Sequence, residues 1–152
     1  MFNIEYSINS DSFPKGTAIS ETEFHYYYYV GNLFFVFSEV KIQIEDITLG
    51  NVCVQLKIIC DNLNSRDGVK QELVFTEGEG VITFEKADEN VFIHPDFIHT
   101  EIDGEYLIEA PEEYGFSVPL DIFTKEVQKF YRQVAEEILT ADDVAKGYIP
   151  EW

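Results

Sequence analysis

Apolar and polar residues alternate from the start of the chain. Phe2, Ile4, Tyr6 and Ile8 take every second position, and the turn-forming residues of 11–16 close the run. A period of two predicts a strand that buries one face. The same signal predicts strands over 18–30, 33–47, 52–58, 69–76, 81–87 and 91–93. Weaker β segments flank Asp103-Gly104 and end near Ile108. Gly31-Asn32 between two β-rich runs predicts a two-residue hairpin turn. Leu49-Gly50-Asn51, Glu77-Gly78-Glu79-Gly80 and Asp88-Glu89-Asn90 predict further turns, and 61–68 predicts a loop.

At Leu120 the period changes. Leu120, Phe123, Val127, Phe130, Tyr131, Val134 and Ile138 form a helical stripe, and Lys125, Glu126, Lys129, Arg132, Gln133, Glu136 and Glu137 fall off it. Pro119 suits an early helix position and Asp121 a first-turn acid. Thr140 and Asp143 predict a second short helix ending at Gly147, and the apolar tail Tyr148–Trp152 is expected to pack. The fold expected is therefore α+β, mainly β. About eight strands form a curled antiparallel or β-barrel-like sheet, and the C-terminal amphipathic helix packs on it. One domain over 1–152 divides into a β-rich 1–118 and a helical 119–152.

The expected hairpin at Gly31-Asn32 carries eight aromatics between Phe24 and Phe37. Pairing about that turn puts Tyr27, Tyr29, Phe34 and Val36 on one face, continuous with Val40, Ile42 and Ile44, and so in the core. The other face holds Tyr26, Tyr28, Val30, Leu33, Phe35 and Phe37. It needs cover, either from another part of the chain or from a partner or second copy, because Tyr and Phe are enriched at interface cores.

Composition sharpens the second option. The chain of 152 residues has formal net charge −19. Between Gln71 and Asp121 fourteen carboxylates stand against one base, Lys86, so −13 of that charge lies in this stretch. Such a surface repels nucleic acid and anionic membranes and attracts a basic protein. Cys53 and Cys60, placed on one strand-like run, point to opposite faces and read as buried free thiols. With no basic-then-apolar leader in MFNIEYSINSD, the expectation is a cytoplasmic protein.

Candidate chemistry is sparse. His94, Asp96 and His99 are the one cluster of metal-ligand types, with His25 as a remote third imidazole. Pro95 and the short ligand set favour an ordinary loop, so no metal or other cofactor is expected. No nucleophile-elbow sequence occurs, neither cysteine has flanking bases, and Glu77 and Glu79 would repel phosphate, so no enzyme is expected.

The run VITFEKADENVFI (81–93), followed by the helix Asp121–Leu139, resembles the immunity proteins that bacteria pair with polymorphic or contact-dependent toxins. The resemblance implies an inhibitor that binds a cognate toxin, often a nuclease, and blocks it. The acidic stretch agrees, since nuclease clefts are basic. The residues expected to bind the partner are Tyr26, Tyr28, Leu33, Phe35 and Phe37 from the hairpin, with Glu101, Asp103, Glu105, Glu112, Glu113, Tyr114 and Phe116. Three alternatives fit the same sequence: a phage-type anti-defence inhibitor, a small-molecule-binding barrel of lipocalin type, and a structural or homodimerising domain.

Overall fold

The computed structural model describes residues 2–9, 29–38, 40–65, 68–75, 80–96, 98, 100–102, 104–107, 116–141 and 146–152. Among them the chain runs β1 (Asn3–Ile8), β2 (Val30–Val36), β3 (Val40–Thr48), α1 (Leu49–Ser65), β4 (Lys70–Val74), β5 (Val81–Ala87), β6 (Asn90–Asp96), β7 (Thr100–Ile102), β8 (Glu105–Leu107), β9 (Phe116–Pro119) and α2 (Leu120–Ala141). The strands make two antiparallel sheets, in the orders β1-β2-β3-β7-β8 and β4-β5-β6-β9. The architecture is thus α+β, as expected, but neither a closed barrel nor one curled eight-stranded sheet. After β3 the chain leaves the first sheet through α1, and the β4–β6 hairpins then pair among themselves. Only β7 returns to β3.

That detour is the largest departure from the sequence reading. Residues 52–58 are helical, although Val52, Val54, Leu56 and Ile58 alternate. The buried residues are Leu49, Val52, Cys53, Leu56, Ile59, Cys60 and Leu63, which recur every three or four positions. Ile58 is 53% exposed, as a residue off that stripe should be. Cys53 and Cys60 therefore share one helix face instead of opposing ones. Two turns separate them by roughly 10 Å, too far for a disulfide, and both are free and buried.

The aromatic hairpin also turns elsewhere. Gly31-Asn32 lies inside β2, and β2 connects to β3 between Phe37 and Val40, where the Phe37 amide donates to the Val40 carbonyl at 2.7 Å. The resulting register pairs odd positions of β2 with even positions of β3: Leu33 with Ile44 and Phe35 with Ile42. All four are buried. Leu33 and Phe35 are therefore core, while Phe34 and Val36, assigned to the core from sequence, face outward and are half-buried. Tyr29 keeps its core assignment and is fully buried. Lys41 Nζ sits 4.5 Å over the Phe34 ring. Further along, Asn32 opposes both Glu45 and Asp46, a bulge that turns Ile47 back inward. Asp46 takes φ 54°, and its amide donates to Asn32 Oδ1 at 3.1 Å.

One core serves both sheets. Phe2, Phe35, Phe84 and Phe123 close a ring of aromatic contacts, with successive centroids 6.0, 6.1, 5.5 and 6.2 Å apart. They come from the start of β1, from β2, from β5 and from α2. The predicted helical stripe is the buried face of α2, with Phe123, Val127, Phe130, Tyr131, Val134 and Ile138 in the core. Tail packing is also as expected: Ile149 is buried, the Tyr131 hydroxyl donates to the Pro150 carbonyl, and Trp152 stands edge-on to Tyr131 at 5.2 Å. The short helix expected over 140–147 lies largely outside the described residues.

Polar side chains of the helices close the open strand edges. The Gln55 carboxamide of α1 donates to the Val74 carbonyl at 2.8 Å and accepts from the Val74 amide at 3.2 Å. It takes the place of a neighbouring strand at the end of β4. On the other sheet Glu126 of α2 accepts from the Ile4 amide of β1 at 3.4 Å. Such covering suppresses edge-to-edge pairing with other chains.

Candidate protein-binding face

The residues expected to bind a partner are dispersed. Leu33 and Phe35 are fully buried, Phe35 within the aromatic ring described above, so they correct to core. Phe37 and Phe116 do come together, stacked at 4.8 Å, and Phe37 also packs on Phe2 at 5.0 Å. These contacts supply cover from within the chain. Glu101 and Glu105 lie on the β7–β8 hairpin, where Glu105 pairs with Ile102 and is exposed. Tyr26, Tyr28, Asp103, Glu112, Glu113 and Tyr114 lie outside the described residues. His94 and Asp96 are alternate residues of β6 on its outward side, and His99 lies outside the described residues. Among those described, no three His, Cys, Asp or Glu side chains converge as a metal site would require.

A surface the sequence reading did not single out is better formed. Leu73, Ile82, Phe84, Val91 and Ile93 of the second sheet are buried in the core. Strand alternation therefore turns Lys70, Glu72, Thr83, Glu85, Phe92 and His94 outward. Their register sets Lys70 beside Glu85, Glu85 beside Phe92, and Thr83 between Glu72 and His94. Phe92 is 39% exposed in mid-strand, an aromatic where a polar residue would suffice. A shallow depression of about 240 Å³ lies among Lys70, Thr83, Glu85, Phe92 and His94. Glu72, Glu85 and Asp96 are on this face, and exposed Asp88, Glu89 and Asp121 rim it where the Leu120 amide bonds the Glu89 carbonyl at 2.8 Å. The signal was available: Phe92 stands between Val91 and Ile93, so alternation assigns it outward.

Burial pushes both thiols above the usual cysteine range, which keeps them protonated and poor nucleophiles. The Cys53 thiol donates to the Tyr131 carbonyl at 3.7 Å, and Cys60 Sγ accepts from Asn64 at 3.5 Å. Tyr6 is pushed up by burial and by its hydrogen bond to Glu137 at 3.1 Å, and Tyr131 by burial. None of these groups is on the Phe92 face. No helix among the described residues is long and apolar enough to cross a membrane. Comparison with family models, with curated proteins and with solved structures gives no match.

Proposed function

We propose that this chain is an acidic inhibitor that neutralises a basic protein by binding it, in the manner of a toxin's immunity partner. The observation that carries this reading is Phe92, an exposed aromatic in the middle of a sheet face that also carries Glu72, Glu85 and Asp96. Aromatic anchors inside a charged rim are what interface hot spots consist of. Glu72, Glu85, Asp88, Glu89, Asp96 and Asp121 would steer a basic cleft towards the anchor. A nuclease-type toxin has the matching charge, and an anti-defence inhibitor would use the same chemistry on a different target.

The test is capture from the source cells with the wild-type chain, with Phe92→Ala and with Glu72→Lys/Glu85→Lys in parallel. A basic protein should be retained by the wild type and lost by both variants. Phe92→Ala should cost at least about 2 kcal/mol of binding, roughly thirtyfold. The association rate should fall steeply with salt. Retention unchanged by the variants, or a rate indifferent to salt, would refute the assignment of this face.

A further inference from the structure

The C-terminal segment 146–152 lies along α2 and is held at one end by Tyr131, through the Pro150 carbonyl and the Trp152 ring. Beside these contacts a groove opens between the segment and the helix. The facing side chain is Ala135, with Leu139 one turn further on, and the space left is a groove of about 870 Å³. That size is in the range of small-molecule sites. Tyr148 and Trp152 make its apolar walls.

Among its described lining residues, cations outnumber carboxylates two to one. Only ten residues of the chain are Lys or Arg. Two of them, Arg132 and Lys146, line the groove and are exposed. A third, Lys57, lies 5.4 Å over the Trp152 ring, though it is also paired with Asp61 at 2.8 Å. One carboxylate, Glu151, is also in the lining. Among the described residues, neither Arg132 nor Lys146 has an ion-pair or side-chain hydrogen-bond partner. An apolar trough lined by two cations is complementary to a ligand with a hydrocarbon body and one anionic head. Arginine binds a carboxylate through two parallel hydrogen bonds. A polyanion would be opposed by the net charge of −19.

We infer that the groove between α2 and the C-terminal segment is a binding site for an amphiphilic monocarboxylate, with the alkyl chain on Ala135 and Leu139 and the head on Arg132 and Lys146. The inference is independent of the Phe92 face. Trp152 is the only tryptophan, so its emission reports on the groove directly.

The full chain is titrated with sodium dodecanoate below its micellar concentration. A saturable change in Trp152 emission is expected, with one ligand per chain by calorimetry. Dodecanol should bind at least about tenfold more weakly, because it forgoes the charge-assisted hydrogen bonds. Arg132→Gln/Lys146→Gln should remove that difference, and Ala135→Leu should abolish binding of both ligands by filling the trough. Absence of saturable binding by both methods would overturn the proposal. So would equal affinity for the acid and the alcohol in the wild type, or unchanged binding by a folded Ala135→Leu. If Ala135→Leu does not fold, the exposed Arg132/Lys146 pair decides on its own.

Discussion

Gly31→Ala tests the packing of β2 against its neighbours. Gly31 is the second residue of β2, beside Ile8 of β1 and Leu49 at the start of α1. A Cβ there would be 2.1 Å from the Ser7 carbonyl oxygen and 2.8 Å from Leu49 Cδ1. Leu49 can rotate away, but Ser7 is backbone, and the strands would have to part by roughly 1 Å to reach contact distance. Parting them stretches ladder bonds such as Asn9 amide to Val30 carbonyl, now 3.0 Å. Overpacking costs about 1–3 kcal/mol and each weakened bond up to about 1 kcal/mol. A less flexible unfolded chain offsets about 0.5–1 kcal/mol. The net expectation is a loss of about 2–3 kcal/mol, or a melting temperature lower by about 5–10 °C for a chain of this size. Urea unfolding followed by far-UV circular dichroism measures it. Gly147→Ala is the control, since a Cβ there meets nothing within 4 Å, and it should stay within about 0.5 kcal/mol of wild type. A Gly31→Ala loss below about 0.5 kcal/mol would refute the close-approach argument.

Gln55→Ala should leave the Val74 amide and carbonyl without their protein partner, costing about 1–2 kcal/mol and accelerating hydrogen exchange at Val74; unchanged exchange would show that Gln55 does not guard the edge. Tyr6 and Tyr131 have native pKa values raised above the usual 10, so the folded state holds their protons longer than the unfolded chain. Their contribution to stability is complete below about pH 10 and is lost as pH rises beyond it. Absorbance at 295 nm should show Tyr6 and Tyr131 among the tyrosines still un-ionised when the exposed ones have titrated, and stability in urea should weaken over the same range. Simultaneous titration of all the tyrosines would count against the burial argument.

The parts of the fold set by local chemistry were legible in the sequence. β1, the β4–β5 and β5–β6 hairpins and the α2 stripe follow from period and turn residues alone. The errors came where one signal admitted two readings. Val52–Ile58 alternates over seven residues, but the seventeen residues of α1 carry a helical repeat that outweighs it. Gly31 was read as a turn because glycine serves both positive φ and close approach, and here the neighbouring backbone demands the second. The reversal lies instead beyond Phe37, and a reversal there exchanges the faces of β2. Leu33 and Phe35 went to the wrong side for this reason. Phe92 was overlooked because aromatic density drew attention to 24–37, whereas the informative feature was one aromatic on the polar side of a strand. The tail groove was not legible, since it depends on which face of α2 the tail crosses.

The four-ring aromatic contact also fixes an order of events during synthesis. Phe2 and Phe123 are neighbours in space, with ring centroids 6.2 Å apart, but are far apart in sequence. At about 5–20 residues per second the ribosome makes β1 about 6–24 s before α2 begins to emerge. Through that interval Phe2, Ile4, Phe35 and Phe84 lack the helix that buries them, and the Ile4 amide lacks Glu126. The nascent chain therefore carries its apolar surface uncovered until α2 appears. Completion of the core waits for that helix, and the acidity that repels other copies of the chain protects it while it waits.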